Sequence, residues 1–313
     1  MKNEITKVAT RREMCSRPTF FYRSAREGML DFLNNARGSD SRAVLLPGFI
    51  GWSPCDGSGV YDPVHSLGIG VGFYGLREDL TLDLNQIADL ARTHQYGVLV
   101  VIHYFGRAET QMAEVRQIAD ECGLLLVEDL AHAFYTSMTG HSAGGYGDMN
   151  LYSLHKMFPI PIGGMCRYSS EALVRQQRST MPELAAEIIS YDWEVISERR
   201  RENFVNLIKR LSAIPEVGER FRLLWPKLNQ RDVPQSLPVL ISGDGRDSVH
   251  AAMNREGFGM VSLYHTLVKE VEYLHPDLQH LSRHIINFPV HQDIAEQDLD
   301  GLVDAFRVAL RES

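Results

Sequence analysis

Along residues 24–169, short apolar runs alternate with stretches in which apolar residues recur every three or four positions. Ala43–Leu46, Ile69–Phe73, Val98–Tyr104 and Leu124–Val127 are apolar on both faces, the pattern of strands buried inside a parallel sheet. Between them, residues 24–36 carry Met29, Leu30 and Leu33 at helical spacing behind Ser24, a good N-cap. Residues 83–94 repeat the pattern with Leu84, Ile87, Leu90 and Ala91. Residues 109–121 do so with Met112, Val115, Ile118 and Ala119, ahead of Gly123, which suits a C-cap. Such alternation predicts an α/β domain whose central sheet is mostly parallel and flanked by helices.

After Gly163-Gly164 the texture changes. Residues 170–212 read as one long, very polar helical stretch with an apolar stripe of Phe204, Leu207, Ile208 and Leu211. From about 220 onward, strand-like Leu237–Ile241 and Ile285–Phe288 alternate with helix-like 248–256 and 296–310, predicting a smaller C-terminal α+β domain. The expected division is 1–195 for the large domain and 196–313 for the small one.

Composition narrows the function. The chain has 313 residues, room for two domains, and its 44% hydrophobic and 23% charged residues fit a soluble globular protein, not a fibre or a disordered tail. A net charge of −8 opposes tracking of phosphate backbones, so no nucleic-acid partner is expected. No apolar run approaches the ~20 residues of a membrane span, and the opening MKNEITKVATRREM carries no apolar leader core. Cys15, Cys55, Cys122 and Cys166 form no CxxC pair, so neither a zinc ribbon nor a disulfide framework is expected. A cytoplasmic, reduced protein without a metal or a membrane partner follows. His265, His275, His280, His284 and His291 gather in the C-terminal part and read as surface or substrate-facing side chains.

The charge count also contains a clue. Only 6 of the 32 basic residues are lysines, and Lys156 is the one lysine between positions 7 and 209. It follows the strand-like Asp148–Ser153 and precedes a loop punctuated by Pro159, Pro161 and Gly163-Gly164. A second strand, Leu124–Val127, ends in Glu128-Asp129-Leu130-Ala131-His132. Ligands of open parallel sheets bind beyond the carboxyl ends of strands. A lysine in apolar surroundings loses its charge readily and can offer a free amine for Schiff-base chemistry. A strand-end acid can hold a pyridinium nitrogen protonated. The pair therefore points to a pyridoxal 5'-phosphate site. No GxSxG elbow exists to support a serine hydrolase.

Together, His103-Tyr104-Phe105-Gly106, Glu128-Asp129-Leu130-Ala131-His132, Gly147-Asp148, Ser153-Leu154-His155-Lys156 and Gly163-Gly164 resemble the DegT/DnrJ-type aminotransferases, fold-type-I pyridoxal-phosphate enzymes. The spacing agrees: Asp129 to Ser153 is 24 residues, and Lys156 to the glycine pair is 7 and 8. Pro47-Gly48-Phe49 and the Phe288–Gln292 segment extend the likeness. The resemblance implies Lys156 as Schiff-base lysine and proton shuttle, and Asp129 as partner of the ring nitrogen. It places His132 beside the ring hydroxyl and Ala131 flat on the ring. Ser153, with the helix start at Ser24, Ala25 and Arg26, would hold the phosphate, as helix N-termini do. Arg26 fits a phosphate contact or an exposed helix arginine equally. Phe49 and Trp52 are both candidates for an aromatic stacked on the cofactor, and Gly51 stands where the family's own stacking residue aligns.

The implied activity is transfer of an amino group from an amino acid to a keto-sugar, nucleotide-linked, by a ping-pong route in a homodimer. The chain also departs from the family. The Ser153–Lys156 interval is two residues short, an Asn-x-Arg motif after the glycine pair has no counterpart, and the chain is several dozen residues shorter than typical members. These losses fall on the substrate side, so two alternatives stand beside transamination. One is a pyridoxal-phosphate decarboxylase, lyase or condensing enzyme on a small substrate; the other is an inactive homologue serving as a binding subunit.

Overall fold

The structure, a computed structural model, describes residues 17–35, 37, 40–52, 57–174 and 181–313. Cys15, Cys55 and the N-terminal segment searched for a leader lie outside the described residues. Seven strands form one sheet: β1 (Thr19–Tyr22), β2 (Ala43–Pro47), β3 (Val71–Tyr74), β4 (Tyr96–Ile102), β5 (Leu125–Asp129), β6 (Met149–Ser153) and β7 (Gly164–Tyr168). Their order is β1-β7-β6-β5-β4-β2-β3. The pairings from β6 to β3 are parallel, whereas β7 runs antiparallel to both β6 and β1. The sheet is thus mostly parallel, with an antiparallel edge that carries the segment after the glycine pair back beside the helix start at Ala25.

Helices α1 (Ala25–Asn35), α2 (Tyr61–Ser66), α3 (Leu84–Arg92), α4 (Met112–Cys122) and α5 (Phe134–Met138) join these strands. Each of the three longer ones buries the stripe expected of it, Met29 and Leu33 in α1, Ile87 and Ala91 in α3, Val115 and Ala119 in α4. Gly123 ends α4 at φ 65°, a left-handed cap that costs glycine nothing. Val98, Leu99, Val100 and Val101 are inaccessible to water on both faces of β4, each contributing about 1.5–3 kcal/mol of hydrophobic stabilisation.

The long helical stretch expected over 170–212 is two helices, α6 (Pro182–Ile189) and α7 (Trp193–Ser212). Asp192 restarts the chain by accepting the N–H of Val195, a cap that periodicity alone does not reveal. The expected division at residue 195 falls within the first turn of α7. Beyond it, β8 (Phe221–Leu223), β9 (Ser236–Ile241) and β10 (Ile285–Pro289) make a three-stranded antiparallel sheet. With α8 (Arg246–Arg255) and α11 (Glu296–Glu312) it forms the smaller α+β unit, whereas α9 (Lys269–Leu274) and α10 (Pro276–His284) bury Val271, Leu278 and Leu281 in the core of the large sheet. The smaller unit's own core includes Phe204, Phe221, Phe288 and Phe306. Among the described residues no helix is long and apolar enough to cross a membrane.

One segment of the smaller unit crosses to the large sheet. Val261 bridges to Asn287 in β10, and Leu267 bridges to Gly51, just past the end of β2. Trp52 donates its N–H to Thr266 O at 3.0 Å, and Val268 donates to Ile50 O at 3.0 Å. Residues 262–266 are thereby suspended over the carboxyl ends of the central strands.

Candidate active site

Those strand ends and that crossing segment enclose a cavity of about 470 Å³, a size suited to a small organic ligand. The residues expected to form the site converge here: Ser24, Ala25, Arg26, Trp52, Asp129, Ala131, His132, Ser153 and Lys156 all line it. Phe49 does not. It is fully buried in the core, where its ring lies 5.7 Å from that of Tyr104 and its carbonyl accepts the Tyr104 hydroxyl at 2.7 Å.

Asp129 ends β5 on the cavity side. Burial pushes its carboxyl up, while a bond from the Ala131 N–H at 2.9 Å and the charge of Lys156 pull the other way. The acid therefore has little local compensation for its charge, and a cationic ring nitrogen would supply it. Water in the cavity reaches Lys156, but protein atoms crowd its amine; the resulting loss of hydration lowers its pKa, only partly offset by Asp129.

His132 fixes how that amine is used. The N–H of Phe105 donates to its Nδ1 at 3.4 Å, so the ring proton of the neutral imidazole sits on Nε2. Nε2 lies 3.1 Å from Lys156 Nζ. Burial, with the nearby charge of Lys156, pushes the His132 pKa well below its ordinary value.

The opposite end of the cavity suits an anion. Ser24 caps α1 by accepting the N–H of Glu27 at 3.2 Å, and the Glu27 carboxylate turns back onto the N–H of Arg23 at 3.0 Å. The start of α1, with its positive dipole end, opens on the same space as Ser58, Ser153 and His155. Arg26 also pairs with Asp62 at 3.3 Å, which sets it at the mouth of this end. His155, whose Nδ1 is 3.4 Å from Ser153 Oγ, was not among the residues expected to bind. Nor was Ser58, which no local motif marks. Tyr264, beside the candidate substrate-facing His265, lines the cavity as well.

Behind this chemistry, on the other face of β5, lies a closed network. His103 and Glu128 are inaccessible to water, with His103 Nε2 donating to Glu128 Oε2 at 2.9 Å. The Glu109 N–H donates to His103 Nδ1 at 3.0 Å, which settles that tautomer. Glu128 further accepts the N–H groups of Gly144, Tyr146 and Gly147 at 2.8, 2.7 and 2.6 Å. Burial works to raise its pKa, but these bonds and His103 outweigh it and hold the carboxyl below its ordinary range. The pair staples the 144–147 loop to the strand that carries Asp129.

A buried acid, a lysine whose pKa burial lowers, a helix N-terminus and an adequate cavity fit the pyridoxal phosphate that the resemblance implies. Residues 60–182, which span most of these elements, match the model of the DegT/DnrJ/EryC1/StrS aminotransferase family. Over that segment, which carries Asp129, His132, Ser153 and Lys156, the chain is similar to the family. Two curated proteins are similar over shorter segments. Serine hydroxymethyltransferase from Jannaschia sp. (strain CCS1) is 32% identical over 111 residues, 34% of this chain and 25% of that protein. GDP-perosamine synthase from Vibrio cholerae is 31% identical over 78 residues, 24% of this chain and 21% of that protein. The chain thus matches about a quarter of these relatives' length. Among solved structures, Helicobacter pylori PseC, an aminotransferase involved in the biosynthesis of pseudoaminic acid, superposes with a TM-score of 0.74. It is 13% identical, over 94% of this chain and 87% of that one, so the two chains share a fold.

Proposed function

We propose that the protein is a pyridoxal-phosphate-dependent aminotransferase that moves an amino group from an amino-acid donor to a keto-sugar, nucleotide-linked. The observation that carries the reading is the Asp129–Lys156–His132 constellation at the strand ends of a cavity that the start of α1 also lines. When bound, the cofactor supplies an electron sink and a temporary carrier for the amino group, so donor and acceptor use the site in turn. Asp129 holds the positive charge at the ring nitrogen. Lys156 Nζ attaches the cofactor at rest and then takes up and returns a proton. His132 orients that amine through its Nε2–H, and Ser153 with the α1 N-terminus anchors the phosphate. The similarity to the GDP-perosamine synthase supports the nucleotide-linked acceptor. A homodimer, a cytoplasmic location and a cofactor domain of 1–195 under a substrate domain of 196–313 belong to the same reading.

Borohydride reduction of the cofactor-loaded protein should fix the cofactor's mass on the peptide containing Lys156. Lys156→Ala should abolish both this label and the visible absorbance, and should lower turnover by about 10³-fold or more. A wild-type protein that takes up no cofactor would overturn the proposal.

The hydroxymethyltransferase relatives favour a second reading, in which the same cofactor serves a different reaction on an amino acid. Glutamate offered to the loaded protein separates the two. Release of 2-oxoglutarate with an aminated cofactor supports amino transfer, whereas turnover of serine without that change supports the alternative.

A further inference from the structure

We propose that Tyr264, delivered by the small domain, forms the aromatic wall against which the cofactor's ring packs, a part that neither Phe49 nor Trp52 plays. The inference rests on the cofactor reading above. Tyr264 lines the cavity together with Asp129, Ala131, His132 and Lys156, and its ring lies 5.8 Å from that of His132 at 62°. Phe49 stands behind it, 5.2 Å away and excluded from the cavity, and Tyr104 completes the backing at 5.6 Å. Trp52 sits at the rim, 38% exposed.

Gly51 makes room for this arrangement. A Cβ at position 51 would lie 2.9 Å from Tyr264 Cδ1 and 3.2 Å from its Cα, closer than side chains normally approach. The ring thus fills the space that a side chain at 51 would take. Tyr264 also has φ 61°, a left-handed conformation that a tyrosine keeps only when its surroundings enforce it. The enforcement is on both sides: Ser282 Oγ donates to its carbonyl, and the Trp52–Thr266 and Val268–Ile50 bonds pin the chain just beyond it. Leu263 N–H bonds Asn287 Oδ1 at 3.2 Å, which ties the same segment to β10. One wall of the pocket therefore depends on how the small domain is docked.

Titration of the apo protein with pyridoxal phosphate tests this, read by cofactor absorbance and by the circular dichroism induced in the bound cofactor, with apo melting temperatures as a control of folding. Tyr264→Phe should bind within about twofold of wild type. Tyr264→Ala and the bulk-preserving Tyr264→Leu should both bind roughly tenfold more weakly, the order of a lost ring–ring stack, with a reduced induced signal. Gly51→Ala should weaken binding severalfold in the wild-type background and less beside Tyr264→Ala, where the 2.9 Å ring contact is gone and only the 3.2 Å approach to the Cα of residue 264 remains. If Tyr264→Ala or Tyr264→Leu binds as tightly as wild type or more tightly, the ring merely fills the cavity and the proposal fails while the cofactor reading stands. If the wild-type protein binds no pyridoxal phosphate, both fail together.

Discussion

Two carboxylates sit side by side at the end of β5, and their surroundings send them in opposite directions. Glu128 faces the inner network. It accepts from His103 and three backbone N–H groups, so its charge is satisfied within the chain. Asp129, one residue on and on the opposite face, takes among the described residues a single side-chain bond, from the Ala131 N–H, and otherwise looks into a cavity. Burial alone favours the neutral form of both; the difference lies in the donors supplied. A fully bonded buried acid is part of the scaffold. One left short of donors beside a cavity marks where a cationic ligand group belongs.

The contrast can be broken from either side. The largest effect is expected from Asp129→Asn, which should cut amino transfer by roughly 10²–10³-fold, the size of a lost electrostatic partner at a reacting group. Its apo stability should stay within about 1 kcal/mol of wild type, because the neutral amide replaces an acid that burial already disfavours. Steady-state rates and urea unfolding of the same preparation measure both. If Asp129→Asn is severely destabilised instead, the two acids do not divide their roles in this way.

Glu128→Ala should show the reverse emphasis, costing about 3–5 kcal/mol of unfolding free energy at neutral pH, since it strands a buried histidine and three N–H groups. Urea midpoints would report it; a loss under 1 kcal/mol would mean the staple is dispensable.

The smallest effect sharpens the comparison through pH. The folded state holds Glu128 below its ordinary value of 4.5, so its contribution is complete above that value and is lost as pH falls through the lowered one. The stability gap between wild type and Glu128→Ala should therefore be constant above pH 4.5 and narrow below it. A gap that widens on acidification would reverse the assigned sign.

Much of the cavity lining was legible in the sequence because it is local. Asp129, Ala131 and His132 follow one strand and Ser153 and Lys156 follow another, and a parallel sheet brings its strand ends together whatever the details of packing. Ser24 carried its own signature, a serine three residues before a glutamate at the start of an amphipathic stretch. The break at Asp192 was hidden, because helical periodicity continues on both sides of a cap. The exclusion of Phe49 was hidden too: an aromatic just past a strand end has the same pattern whether it faces a cavity or the core.

What the sequence by itself determined is the alternating frame, the lone mid-chain lysine, and the acid that ends a buried strand. Periodicity of two and of 3.6 residues, with caps and strand-end loops, encodes these within a dozen residues. The tertiary structure alone decided which tautomer of His132 meets Lys156, which of two adjacent acids is left short of donors, and that a tyrosine 213 positions after Gly51 occupies the space beside it. Each depends on donors, rings and close approaches brought from distant parts of the chain. Only packing, by excluding water and fixing those few ångströms, gives them a definite partner.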